Sequence, residues 1–204
     1  MQRKMTAALA ALVLAFVLGA CKGQSENAGT PATETTETAA TTDTTMTATG
    51  SLSTGGTVAD MAPADKEFIA KAGMGGLAEV QMGNLATTKA SNAAVKAFGQ
   101  RMVTDHSKAN EELKTLATAK GVGLPTELDS EHKGALDHLA SLSGAEFDKA
   151  YMDHMVQDHE KDTAEFEKAS TDAQDAELKS WAGKTLPTLQ DHLKQAKSVR
   201  GGLK

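Results

Sequence analysis

Along four long stretches of the chain, inward-type residues recur at alternating steps of three and four, the period of one face of an α-helix. The first stripe reads Phe68, Ala72, Gly75, Glu79, Met82, Ala86, and the second Val95, Gly99, Met102, His106, Ala109, Leu113, Leu116. A third runs from Phe147 and Tyr151 through His154 and Asp158, and a fourth reads Leu178, Ala182, Thr185, Leu189, His192, Ala196. Between the second and third, residues 130–142 predict a short helix with Leu136 and Leu139 inward. No strand-period run, internal repeat or second domain is evident. Each long stripe passes through a carboxylate or an imidazole where a helix normally buries an apolar side chain.

The punctuation agrees with these elements. Asp65 is placed to cap the first helix, and Ser91 or Asn92 the second, which Gly121, Gly123 and Pro125 bring to an end. Ser143-Gly144-Ala145-Glu146 has the spacing of a capping box opening the central helix, and Thr171 to Gln174 offers another before the last one. Pro187 falls inside that last helix and predicts a kink just before His192. Gly75, Gly76 and Gly83 each cost up to about 1 kcal/mol of helix propensity, which predicts close approach by a neighbouring helix. Four helices, each with one apolar face, can bury those faces only against one another. The expected fold is all-α: a four-helix bundle with an additional short helix, spanning residues 63–200.

The N-terminal part reads differently. Residues 1–20 form a secretory signal, with Arg3 and Lys4 ahead of an apolar run from Ala7 to Leu18 that is too short to span a bilayer. Leu18-Gly19-Ala20-Cys21 resembles the lipobox of bacterial lipoproteins, which implies cleavage before Cys21 and attachment to the membrane through its lipidated thiol. Lys22, in place of Asp, resembles lipoproteins passed on to the outer membrane. Residues 21–62 read as a disordered Thr- and Ala-rich tether, long enough to span roughly 35 Å as a flexible coil. Cys21 is the single cysteine, so no intramolecular disulfide can form. Without Arg3 and Lys4, 19 basic residues remain against 27 acidic ones, a formal charge of −8. With one Trp and one Tyr besides, the chain lacks the basic, aromatic surface that nucleic acid requires.

Glu79, His106, His154, Asp158 and His192 come from four helices and are expected to project toward one axis. Burial without partners is costly for each, so they either form a hydrogen-bond network or hold an ion. Imidazole with carboxylate suits a transition metal such as iron, zinc or copper. His159 is expected to face a neighbouring sector, Asp105 and Asp153 to lie at the surface or orient an imidazole, and His132 and His138 to be exposed. Met74, Met82, Met102 and Met155 read as gap-fillers, and Tyr151 as a hydrogen-bond donor toward the site. No nucleophilic triad, phosphate loop or dinucleotide fingerprint is present, so no enzymatic reaction is read from the chain.

The segments Ala78 to Ala86, Val95 to Ser107, Phe147 to Tyr151 and Asp158-His159 resemble the bacterial domain-of-unknown-function 4142 family, often labelled outer-membrane or exported proteins. The likeness extends from about Asp65 to Ala196 and implies a ferritin-like bundle. Ferritin-like di-iron proteins carry Glu three residues before each of two His. Here Val103 precedes His106 and Leu189 precedes His192, so the resemblance does not imply a di-iron centre of that pattern.

Overall fold

The computed structural model describes residues 61–204; the signal segment, Cys21 and nearly all of the tether lie outside the described residues. Five helices follow in order: α1 (Pro63–Lys89), α2 (Ala93–Ala119), α3 (Ser130–Ser141), α4 (Gly144–Asp172) and α5 (Ala176–Gly202). There is no strand among the described residues. Turns too short for any other path fold α1 back on α2 and α4 back on α5. The two hairpins then pack α1 on α4 and α2 on α5, and the short α3 lies mainly on α1. This is a four-helix bundle with an additional short helix.

The hairpins are internally matched, although no repeat is evident in the sequence. A shift of 83 positions carries Ala93 onto Ala176 and Ala119 onto Gly202, the bounds of α2 and α5. The same shift pairs Asp65 with Asp148, Glu79 with Asp162, and Phe98 with Trp181. Few other positions agree, because an exposed helix surface tolerates almost any polar residue.

The Asp65 and Asp148 pair has a matching structural role. Asp65 was expected to cap its own helix, yet α1 begins at Pro63 with no side-chain cap. Its carboxylate, 4 % exposed, instead accepts the backbone N–H groups of Gln174 (3.0 Å) and Asp175 (2.8 Å) in the α4–α5 turn. Asp148 does the same for the α1–α2 turn, accepting the N–H groups of Ser91 (3.0 Å) and Asn92 (2.9 Å) and the Ser91 hydroxyl. Each hairpin is thus closed by a carboxylate from the other, one at either end of the bundle.

Other caps are local. Asn92 accepts from Ala94 N–H, Asp129 from His132 N–H, and Asp175 from Glu177 and Leu178 N–H. Neither predicted capping box forms: Ser143 makes no cap hydrogen bond, and α4 continues through Thr171 to Asp172. α2 does stop at Gly121, whose φ of 62° is left-handed. Its N–H donates to Thr118 O and that of Val122 to Ala117 O, satisfying two terminal carbonyls. α5 runs unbroken through Pro187.

The glycines of α1 behave in different ways. Gly83 meets Gly99 of α2: a Cβ on Gly83 would lie 2.8 Å from Gly99 O, and one on Gly99 would lie 2.8 Å from Ala86 Cβ. The place of a Cβ at Gly76 is taken by the Asn110 side chain, and Gly75 has open space around it. Gly83→Ala is therefore expected to destabilise the fold by about 1–3 kcal/mol in urea denaturation through overpacking. Gly134→Ala on exposed α3, where nothing lies within 4 Å, is expected to stabilise it by up to about 1 kcal/mol.

Two hydrophobic clusters fill the bundle. One gathers Val95, Phe98, Phe147, Tyr151 and Met155; the other gathers Ile69, Leu113, Phe166, Leu178 and Trp181. Buried Glu79, His106, His159 and His192 belong to neither. A polar layer separates two apolar halves. Among the described residues no helix is long and apolar enough to cross a membrane.

Candidate metal centre

The register of the helices brings acids together halfway along the bundle. Glu79 and Asp162 each stand 14 residues beyond the aspartate that closes the opposite turn, about 21 Å of helix. Because α1 and α4 run in opposite directions from opposite ends, both acids arrive at the same level. Asp158 lies one turn earlier on α4, and Glu79, Asp158 and Asp162 each offer an oxygen within 4.8 Å of the others. Glu79 is 1 % exposed.

Three imidazoles meet the same layer. His106 of α2, His159 of α4 and His192 of α5 are all buried, and each offers a ring nitrogen within 4.8 Å of the other two. Their ring centroids are 5.3–5.6 Å apart. The Phe98 ring meets both His159 and His192 edge-on, at centroid distances of 6.3 and 6.5 Å. Phe98, a member of the first apolar cluster, therefore floors two of the three rings.

Their hydrogen bonds determine which nitrogens are left over. His159 Nδ1 lies 3.0 Å from the carbonyl of Met155, which can only accept, so Nδ1 carries the proton. His192 Nε2 lies 2.8 Å from Asp105 Oδ2. Burial alone would raise the Asp105 carboxyl, but His192 and Arg101 outweigh it and hold the group below its usual range. It is ionised, and His192 Nε2 donates to it. Arg101 in turn reaches Asp191 at 2.7 Å and the Gln195 side chain at 3.0 Å, both on α5, which fixes Asp105 in place.

Burial also sets the charge of the rings. It pushes His106 down to about 4 and His192 to about 4, and, together with the neighbouring His106 and His192, pushes His159 to about 3. All three are neutral at pH 7, the form that binds metals. With their outer nitrogens protonated, His159 Nε2 and His192 Nδ1 both present bare lone pairs, and they face each other at 3.3 Å. Glu79 Oε1 lies 3.3 Å from the same His159 nitrogen, without the geometry of a hydrogen bond. The two facing imidazole nitrogens are acceptors with no donor between them.

Glu79 Oε2 lies 2.7 Å from His106 Nδ1, while His106 Nε2 is buried and unpartnered. Burial, reinforced by Asp158, holds the Glu79 carboxyl well above its ordinary value. Burial and the charge of Glu79 do the same to Asp162.

Of the residues singled out from sequence, the structure brings Glu79, His106 and His192 together and places Asp158 in the adjoining carboxylate group. His154 does not join the triad. It is half-buried one turn before Asp158, and its Nε2 has no partner. His159, expected in a neighbouring sector, is 0 % exposed and central. The signal was present: from Tyr151, steps of four lead through Met155 to His159, all fully buried. Asp162 emerges only from the fold, and Asp105, which the sequence offers as a surface residue or one that orients an imidazole, holds His192 of α5. Asp153 pairs with Arg200, His138 is exposed, and His132 is half-buried against Asp129. Tyr151 stacks on Phe147, and its buried hydroxyl makes no hydrogen bond.

The profile of a family described as "Domain of unknown function (DUF4142)" matches residues 50–199, and the chain belongs to that family. No curated protein matches it. Two solved structures are similar in fold. The first is the crystal structure of a DUF305 fragment from Deinococcus radiodurans, with a TM-score of 0.63 at 12 % identity over 70 % of this chain and 99 % of that one. The second is CopM in its Cu(II)-bound form, with a TM-score of 0.59 at 18 % identity over 69 % of this chain and 97 % of that one.

Proposed function

We propose that this DUF4142 member is a metal-binding lipoprotein of the bacterial envelope, anchored through Cys21, whose bundle holds one transition-metal ion between His106, His159, His192 and Glu79. The observation that carries the reading is the meeting of His159 Nε2 and His192 Nδ1 at 3.3 Å, both unprotonated, beside Glu79 Oε1. A shared cation turns this mutual repulsion into coordination. Three imidazoles and one carboxylate suit zinc, copper, iron or nickel. The fold is also that of CopM, solved with Cu(II), which puts copper among the first ions to test. Asp105 and the Met155 carbonyl orient two of the rings from behind, as outer partners do in metal sites.

The test is elemental analysis of the full chain, recovered from bacterial membranes without a His tag, followed by chelation and reloading with zinc or copper. About one ion per chain, restored after chelation, is the expected result. No metal before or after reloading would instead make the layer a structural polar network and move the search to protein partners. Labelling of Cys21 by a radioactive fatty acid, absent in Cys21→Ala, tests the anchor. Asp105→Asn is expected to weaken ion binding by about 10–100-fold while leaving the helical content unchanged, measured by competition with a chromophoric chelator.

A further inference from the structure

Beside the imidazole triad lies a second donor group of different chemistry. Glu79, Asp158 and Asp162 each offer an oxygen within 4.8 Å of the others, the upper limit for oxygens that share one cation at about 2.1–2.4 Å. No lysine or arginine forms an ion pair with any of them among the described residues; the ion-pair partners of Glu79 are two imidazoles. Glu79 Oε1 and Asp158 Oδ2 are buried and accept no hydrogen bond. A cavity of about 20 Å³ borders Glu79 and Asp162, is lined also by His106 and Asn110, and is large enough for one water-sized occupant. His106, whose Nε2 is also buried and unpartnered, is one of its lining residues.

We propose that Glu79, Asp158 and Asp162 form a second cation site, specific for a hard divalent ion such as manganese(II), which shares Glu79 with the imidazole-bound ion. The sharing rests on the single-ion reading above; the carboxylate site itself does not. The two halves differ in kind. Nitrogen donors select a borderline ion, whereas an all-oxygen set, completed by water in the neighbouring cavity, selects a hard one. Glu79 reaches both groups: its Oε1 lies toward His159, and the residue also borders the cavity. A mixed pair of ions bridged by one carboxylate is the consequence.

The test loads the full chain with one equivalent of zinc and then titrates manganese(II), reading free manganese by electron paramagnetic resonance and bound zinc by elemental analysis. The expected result is about one further manganese per chain with zinc retained, and an affinity about 100-fold lower in Asp158→Asn/Asp162→Asn with zinc unchanged. Manganese that stays free over a zinc-loaded chain overturns the second site. So does manganese that displaces zinc one for one, or a double variant that binds manganese as tightly as the parent. A chain that takes up no zinc overturns the imidazole site instead; manganese uptake lost in the double variant would then still support the carboxylate site. The wild-type stoichiometry decides the matter by itself if the double variant fails to fold.

Discussion

His159→Ala is expected to lower the affinity for a transition-metal ion by about two to three orders of magnitude, whereas His154→Ala leaves it within about threefold of the parent. Four-ligand structural sites gather roughly 10–16 kcal/mol, or about 2.5–4 per ligand, and about 1.4 kcal/mol is a factor of ten. His159 sits between His192 Nδ1 and Glu79 Oε1, so its loss removes the donor that both others face. His154 stands half-buried, outside the triad. Competition titrations on the two variants separate the facing seen in the structure from the one read off the sequence. Equal losses in both would reject the arrangement described here.

A second large effect is expected far from the site. Asp148→Ala and Asp65→Ala should each destabilise the fold by about 2–4 kcal/mol. Hydrogen bonds to a charged group contribute about 1.5–3 kcal/mol, and the orphaned backbone N–H groups of the turn regain only part of that from water. For a domain of this size the loss corresponds to a fall in Tm of roughly 6–15 °C, read by circular dichroism. Asp148→Asn keeps one acceptor oxygen and should cost about half as much. The two carboxylates act at opposite ends of the bundle, so the double variant is expected to show the sum of the single effects. A shift below about 2 °C in both single variants would mean that water replaces the carboxylates without loss.

These two aspartates also tie stability to chemistry. By fixing where α1 and α4 start relative to each other, they set the level at which Glu79 meets Asp162 and His159. Slippage by one residue along α4 would move His159 by 1.5 Å and turn it by about 100°. An ion held at 2.0–2.5 Å does not tolerate that displacement.

The helices, their order and the apolar halves of the bundle were legible along the chain. Val95, Met102, Leu113, Leu178, Leu189 and Ala196 stand on the periodic stripes and are buried. In the first half of α1 the stripe Phe68 and Ala72 was one residue off, for Ile69 and Gly73 are the buried pair. Apolar residues stand side by side there, and periodicity alone does not rank neighbours. Turn chemistry was less legible. Asp65 has the composition of a cap, but the donors it satisfies lie 109 and 110 residues away. Local spacing carries no record of such a partner.

What the sequence determined by itself is that four amphipathic helices must bury their stripes together, and that imidazoles and carboxylates must go inside with them. Which turn of α4 supplies the central histidine was decided only by the tertiary structure. At Tyr151 a step of three leads to His154 and a step of four to Met155 and on to His159, and both paths obey helical periodicity. The choice rests on the rotation of one helix about its axis. Phe98 packing beneath His159 and His192 and the Asp148 anchor on the α1–α2 turn position α4 in that rotation, and neither contact joins residues close in sequence.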